Sequence, residues 1–179
     1  MKKIMIIGNG GAGKSTLALK IHQITGIELI HLDQHYWKAG WVEADKAAWK
    51  TQIEKFAQKT SWIMDGNYGG TMDIRLAAAD TVIFMDRSRW LSLYRVLKRN
   101  VRYYGKTRPD LTPGCPERFD WKFIRYVFSY NDRKKPGILK RLQDLKPHQK
   151  LFILRSEHEV KRFLKTMATA QASLSKKQL

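Results

Sequence analysis

Five short apolar runs punctuate the chain, at residues 4–7, 28–32, 61–64, 81–85 and 151–154, and the longer stretches between them repeat apolar residues every three or four positions. Strand-length runs alternating with helix-length periodic segments predict an α/β fold on a mostly parallel sheet. Leu17, Ile21 and Ile24 stand at i, i+4 and i+7 ahead of Gly26, which predicts a helix directly behind the first strand with a glycine C-cap. Trp49, Ile53 and Phe56 repeat that spacing. Over residues 88–103 the apolar stripe is Trp90, Tyr94, Leu97 and Val101, while Arg95, Arg99 and Arg102 share an adjoining face, so three guanidiniums are expected to point one way.

Residues 105–116 contain Pro109, Pro113, Gly114 and Pro116, which break any helix and predict a loop or mobile insert. Helical spacing resumes at Trp121, Ile124 and Phe128, and again at Ile138, Leu142 and Leu145. Ser156-Glu157-His158-Glu159 reads as a capping box ahead of Val160, Phe163, Leu164 and Met167. Beyond Ala170 little remains to bury, so residues 1–170 are expected to form one domain and 171–179 a tail. There is no internal repeat.

The chain has 179 residues, 43% of them hydrophobic and 28% charged, enough for a sizeable core. Cys115 is the only cysteine, which excludes an intramolecular disulfide and a thiolate metal cluster and reads as an incidental thiol. The early apolar run behind Lys2 and Lys3 is too short for a secretory signal or a membrane span, so a cytoplasmic location and no membrane partner are expected. Net charge is +18, and it is concentrated: residues 87–141 hold 16 basic and 4 acidic residues, a net of +12. Such a stretch suits an anionic partner, or else forms a solvated basic face.

The chemistry-bearing motif is Gly8-Asn9-Gly10-Gly11-Ala12-Gly13-Lys14-Ser15, which fits G-x-x-x-x-G-K-[ST] between a predicted strand and a predicted helix. Phosphate needs closely approaching main-chain N–H donors; glycine permits that approach, and the following helix turns its positive end to the anion. Gly8, Gly10, Gly11, Ala12, Gly13, Lys14, Ser15 and Thr16 are therefore the expected nucleotide cradle, with Lys14 reaching the β- and γ-phosphates and the Ser15 hydroxyl serving Mg²⁺. An Asn-Lys-x-Asp guanine-reading element is absent, which favours ATP.

Asp65 and Asp86 end predicted strands, where ligands collect in α/β sheets. Asp65 either holds magnesium through water or belongs to an Asp-Gly turn; Asp86 either serves the site or caps the helix after Ser88. Asp33, after the second strand, is placed to orient or deprotonate an acceptor hydroxyl. Tyr36, Trp37 and Trp41 nearby form either an aromatic pocket wall or core. His31, Asp33 and His35 permit a metal site, though such loop residues more often serve as surface or hydrogen-bonding groups.

These residues resemble the P-loop kinases related to adenylate kinase, and within them the DNA topology modulation proteins. The likeness spans most of the chain. It rests on residues 8–15, on His31-Leu32-Asp33 with Trp37 and Trp41, on residues 62–70, on Arg75 before residues 79–82, on residues 95–99, and on residues 105–110 and 114–117. The resemblance implies a three-layer α/β/α P-loop NTPase fold like that of nucleoside monophosphate kinases. Its five-stranded parallel sheet would run in the order 2-3-1-4-5, with an acceptor region at about 33–60 and a helical basic lid at about 95–135. Arg95 and Arg99 match the paired lid arginines, and Arg155-Ser156 falls where such kinases contact adenine. Adenylate kinases follow the aspartate-glycine with an aromatic, a proline and an arginine, whereas this chain has Asn67-Tyr68-Gly69-Gly70; the monophosphate grip is displaced or supplied by Arg75.

The expectation is thus a Mg²⁺- and ATP-dependent phosphotransferase acting on a small acceptor, a nucleotide or nucleoside among the options. Lys14, Asp33, Arg95 and Arg99 would be catalytic, Arg155 would join the nucleotide-binding set, and Ser15 and water-mediated Asp65 would hold the metal. The alternative is a nucleotide-regulated, DNA-associated protein affecting DNA topology.

Overall fold

The computed structural model describes residues 1–176. In chain order the elements are β1 (Lys3–Gly8), α1 (Lys14–Thr25), β2 (Leu29–His31), α2 (Leu32–Tyr36), the short strands β3 (Trp37–Lys38) and β4 (Val42–Glu43), and α3 (Lys46–Gln58). There follow β5 (Trp62–Asp65), a 3-10 turn (Gly69–Thr71) running into α4 (Met72–Ala78), β6 (Thr81–Met85), α5 (Arg89–Tyr103), α6 (Trp121–Arg133), α7 (Lys135–Gln143), β7 (Lys150–Leu154) and α8 (Glu157–Lys176). Five strands pair in parallel in the order β2-β5-β1-β6-β7, which is 2-3-1-4-5 when the strands of this sheet alone are counted. β3 and β4 form a separate antiparallel ribbon.

Strand side chains alternate between two cores, which makes three layers. Met5, Ile7, Met64, Val82 and Phe84 face Trp49, Ile53 and Phe56 of α3, with Tyr130, Ile138 and Leu142 of α6 and α7. Ile4, Ile6, Ile63 and Ile83 face Leu17 and Ile21 of α1, with Val160, Phe163 and Met167 of α8. Helix ends follow local chemistry. Gly26 is left-handed and its N–H bonds to the His22 carbonyl. Asp45, Ser88 and Asp120 cap α3, α5 and α6 with side-chain oxygens. The capping box of α8 forms with a shift: Ser156 Oγ accepts from Glu159 N, but the Glu159 carboxylate returns to Arg155 N.

α5 departs from its expected orientation. Trp90, Tyr94 and Val101 are 67%, 60% and 70% exposed, whereas Ser92, Val96 and Asn100 are buried. The inner face of this helix borders a polar cavity lined by Arg95, Arg99 and Asn100, and the apolar stripe turns outward. Arg95 and Arg99 line that cavity, but Arg102 is exposed and lies over Tyr103, so two guanidiniums point inward rather than three. α6 repeats the pattern: Val127 and Tyr130 are buried, and Trp121 is 78% exposed.

Residues 105–116 form a loop as expected, and it is tied down. Thr112 Oγ1 donates to the Gln34 and Trp37 carbonyls, Gln34 Nε2 to Pro109 O, Trp41 Nε1 to Pro116 O, and buried Cys115 Sγ to Lys38 O. The loop thereby covers the segment after β2. α8 continues past Ala170 to Lys176, and residues 177–179 of the expected tail lie outside the described residues.

Candidate functional site

A cavity of about 890 Å³ opens at the carboxyl ends of the strands and joins the loop after β1 to α2, α5 and the 105–116 loop. The loop after β1 owes its shape to glycine. Gly11 has φ 76° and Gly13, the N-cap of α1, has φ 95°; a Cβ on Gly11 would lie 2.3 Å from the Ser92 carbonyl oxygen of α5. The main-chain N–H groups of Gly10, Gly11 and Gly13 have no intramolecular acceptor among the described residues. Lys14 Nζ is 2.9 Å from Asn9 O. Burial lowers the Lys14 pKa, opposed by Asp65 and Asp33. Open amides, a helix N-terminus and a lysine together suit a polyphosphate.

Of the expected cradle, Gly10, Gly11, Ala12, Gly13, Lys14, Ser15 and Thr16 line the cavity, and Gly8 lies just behind it. Asn67 holds Gly8 in place: its Oδ1 accepts from Gly8 N at 3.0 Å, and its Nδ2 donates to Gly8 O at 2.8 Å and to Tyr126 Oη at 3.0 Å. The Ser15 hydroxyl and Asp65 Oδ2 carry no intramolecular hydrogen bond among the described residues, so this hydroxyl and carboxylate fit a hard, oxygen-preferring cation.

Asp65 is 5% exposed, and its Oδ1 accepts from His31 Nδ1 at 2.8 Å. Burial opposes the charge on His31, but the Asp65 bond and carboxylate outweigh it and hold the His31 pKa above its ordinary value. The metal option for His31, Asp33 and His35 is not assembled: His35 packs edge-on against Phe56, and no group of three potential ligands occurs among the described residues. Asp33 is in the first turn of α2 and lines the cavity. Tyr68 Oη donates to Asp33 Oδ1 at 2.5 Å. Burial raises the Asp33 pKa despite that bond, and burial with Asp33 raises that of Tyr68.

Tyr68 and Trp41 are the two non-glycine residues with positive φ among the described residues, at 34° and 64°, and both line the cavity. Strained backbone of this kind collects at functional sites. The aromatic alternatives resolve into a division: Trp37 and Trp41 face the cavity, while Tyr36 packs against Trp49 and Tyr68 in the core.

Two ion-pair groups hold the arginines. Arg95 and Arg87 share Glu157 Oε1, at 2.7 and 3.2 Å. Arg99 and Arg108 share the buried Glu117 Oε1, at 3.0 and 2.5 Å, and Arg108 also grips Asp110. Glu117, Arg108 and Asn67 lie in stretches that carry the family resemblance but were not named as site residues, since no spacing marks them as partners of Arg99 or Gly8.

Three residues lie elsewhere. Arg75 is fully buried, and its guanidinium donates to the carbonyls of Gly66, Asn67, Tyr68 and Thr71. It shapes the turn that presents Asn67 and has no donor aimed at a monophosphate. Arg155 is off the cavity, with Nε 3.6 Å from Asp86 Oδ2; Glu157 and Val160 line that end instead. Asp86 pairs with Lys135 at 2.7 Å and does not line the cavity, and Ser88 caps α5 itself.

No protein-family model and no curated protein matches this chain. Solved structures do. A shikimate kinase from Acinetobacter baumannii, in complex with shikimate, superposes with a TM-score of 0.55 at 15% identity over 99% of this chain and 95% of that one. A gluconokinase from Sinorhizobium meliloti gives 0.53 at 14% identity over 99% and 95%. A deoxyadenosine kinase from M. mycoides gives 0.51 at 17% identity over 96% and 98%. At these identities the likeness establishes the fold alone, a parallel sheet between two helical layers that this chain shares with those kinases.

Proposed function

We propose that this protein is an ATP-dependent phosphotransferase whose acceptor is a hydroxyl of a small molecule seated beside Asp33. The observation that carries the reading is the sharing of one cavity by the glycine loop with Lys14, the Asp33 carboxylate, and Arg95 with Arg99. The acceptor oxygen attacks the γ-phosphorus of ATP, the bond to the bridging oxygen breaks, ADP leaves, and the hydroxyl proton passes to Asp33. A carboxylate whose pKa is raised by burial is a stronger base, which suits it to that proton.

The loop amides and Lys14 bind and orient the polyphosphate, and Arg95 and Arg99 neutralise charge on the moving phosphoryl group. Ser15, with Asp65 through water, would hold Mg²⁺, which supplies charge neutralisation on the phosphoryl oxygens. In this reading residues 33–60 serve the acceptor and 95–135 the lid of a single domain. An alcohol acceptor is favoured over a monophosphate because Arg75 commits its donors to carbonyl oxygens and the Asp33 carboxylate, suited to take a hydroxyl proton, lines the cavity. The narrower likeness to the DNA topology modulation proteins rests on motifs alone, and no feature of the cavity adds to it.

The test is a screen of nucleosides, polyols, hydroxy acids and monophosphates for acceptor-dependent ADP release. Turnover with an alcohol, abolished by Lys14→Ala and Asp33→Asn, supports the reading. Turnover confined to monophosphates refutes the acceptor assignment.

A further inference from the structure

The outward faces of α5 and α6 form one apolar surface. Trp90 meets Phe128 at one end, Tyr104 meets Phe119 at the other, and Tyr94, Leu97 and Val101 continue the strip along α5. Trp121 on α6 extends it across a shallow groove of about 500 Å³ that Leu93, Ile124 and Phe128 also line. From Trp90 to Tyr104 the strip runs for roughly 21 Å at the helical rise. A water-facing helix pair has no use for such a surface, and large exposed apolar patches mark contacts.

The flanks decide what the contact is. Lys98 and Arg102 border the strip on α5, Lys122 and Arg125 on α6, and none of the four has a carboxylate partner among the described residues. The four acids of residues 87–141 are all engaged: Asp110 and Glu117 with Arg108 and Arg99, Asp132 with Arg89, and Asp120 as the cap of α6. A second copy of this face would bring no carboxylates to these cations. The partner is anionic. Single-stranded nucleic acid needs open ring faces on which bases stack, whereas Trp90 and Phe128 meet edge-on at 71°, Lys98 lies over the Tyr94 ring, and Leu97 and Val101 beyond it are aliphatic. Aromatic and branched aliphatic side chains between rows of lysine and arginine match the interface of an anionic bilayer.

We propose that the α5–α6 face docks this protein peripherally on an anionic phospholipid surface. This departs from the sequence-level expectation of no membrane partner, which was argued from the lack of a span; no helix among the described residues is long and apolar enough to cross a membrane, and peripheral docking requires none. The inference is independent of the catalytic reading.

The experiment is flotation of the full chain with phosphatidylcholine vesicles and with vesicles also containing phosphatidylglycerol, at physiological ionic strength. Binding to the anionic vesicles alone is expected. Trp90→Ser combined with Trp121→Ser should weaken it at least about tenfold with an unchanged melting temperature, and Lys98→Gln and Lys122→Gln roughly fivefold each. Failure to bind anionic vesicles overturns the proposal, as does binding indifferent to the tryptophan pair. So does finding that these tryptophans instead support a dimer in sedimentation or the capture of a single-stranded oligonucleotide, with vesicles ignored.

Discussion

Gly11→Ala is the substitution whose cost can be worked most directly from geometry. The added methyl would sit 2.3 Å from the Ser92 carbonyl oxygen and 3.0 Å from Val96 Cγ2, and the backbone there has φ 76°. A carbon approaches an oxygen to about 3.3 Å, so α5 and the loop must separate by roughly 1 Å. Left-handed backbone costs an alanine about 1–2 kcal/mol and overpacking about 1–3 kcal/mol, a combined loss of about 2–5 kcal/mol. For a chain of this size the melting temperature should fall by at least about 4 °C. The separation also draws Arg95 and Arg99 away from the loop, so ATP turnover should fall more steeply than ATP affinity. Gly70→Ala is the control, because a methyl added there would meet nothing within 4 Å and its φ is outside the left-handed region. Thermal denaturation of both variants beside wild type settles it: a Gly11→Ala protein melting with wild type would refute the claim that loop and helix are packed to contact.

Asp33→Asn should lower kcat by roughly 10²–10⁴ while ATP binding is retained. Burial raises the Asp33 pKa, so the acid limb of kcat/KM should lie above the ordinary aspartate range; Tyr68→Phe removes a bond that favours the charged form and should move the limb higher. A limb unmoved by Tyr68→Phe would separate Asp33 from the proton transfer. Glu117→Gln strips a buried charge from Arg99 and Arg108 and should destabilise by about 3–5 kcal/mol in denaturant unfolding. The folded-state pKa of His31 is raised, so its pair with Asp65 contributes fully below the unfolded value of 6.5 and is lost as pH rises through the folded value. Stability should therefore decline from mildly acidic to alkaline pH, and His31→Gln should flatten that slope.

The parallel sheet and the phosphate loop were legible because each depends on local pattern, strand-length apolar runs and glycine spacing, whereas the strand order came only from the family resemblance, since local pattern does not say which strands pair. The orientation of α5 was not. A stripe of Trp90, Tyr94, Leu97 and Val101 has helical period whichever way it faces, and only the tertiary arrangement reveals that the opposite face borders a polar cavity. Arg75 illustrates the same limit. A lone arginine after a glycine turn looks available to a ligand until its donors are found on four carbonyls. Asn67 stood out in the sequence only as part of the stretch after Asp65-Gly66, and its role stayed hidden because it braces Gly8 from a distant strand end, 59 residues away in the chain.

Phosphoryl transfer at this cavity requires the loop of residues 8–15 to receive the phosphates of ATP, and calorimetric titration of the folded protein with Mg·ATP is the decisive experiment. Saturable heat, competition by ADP, and loss of the signal in Lys14→Ala are expected. Absence of heat and of ADP competition in folded wild-type protein would contradict the assignment.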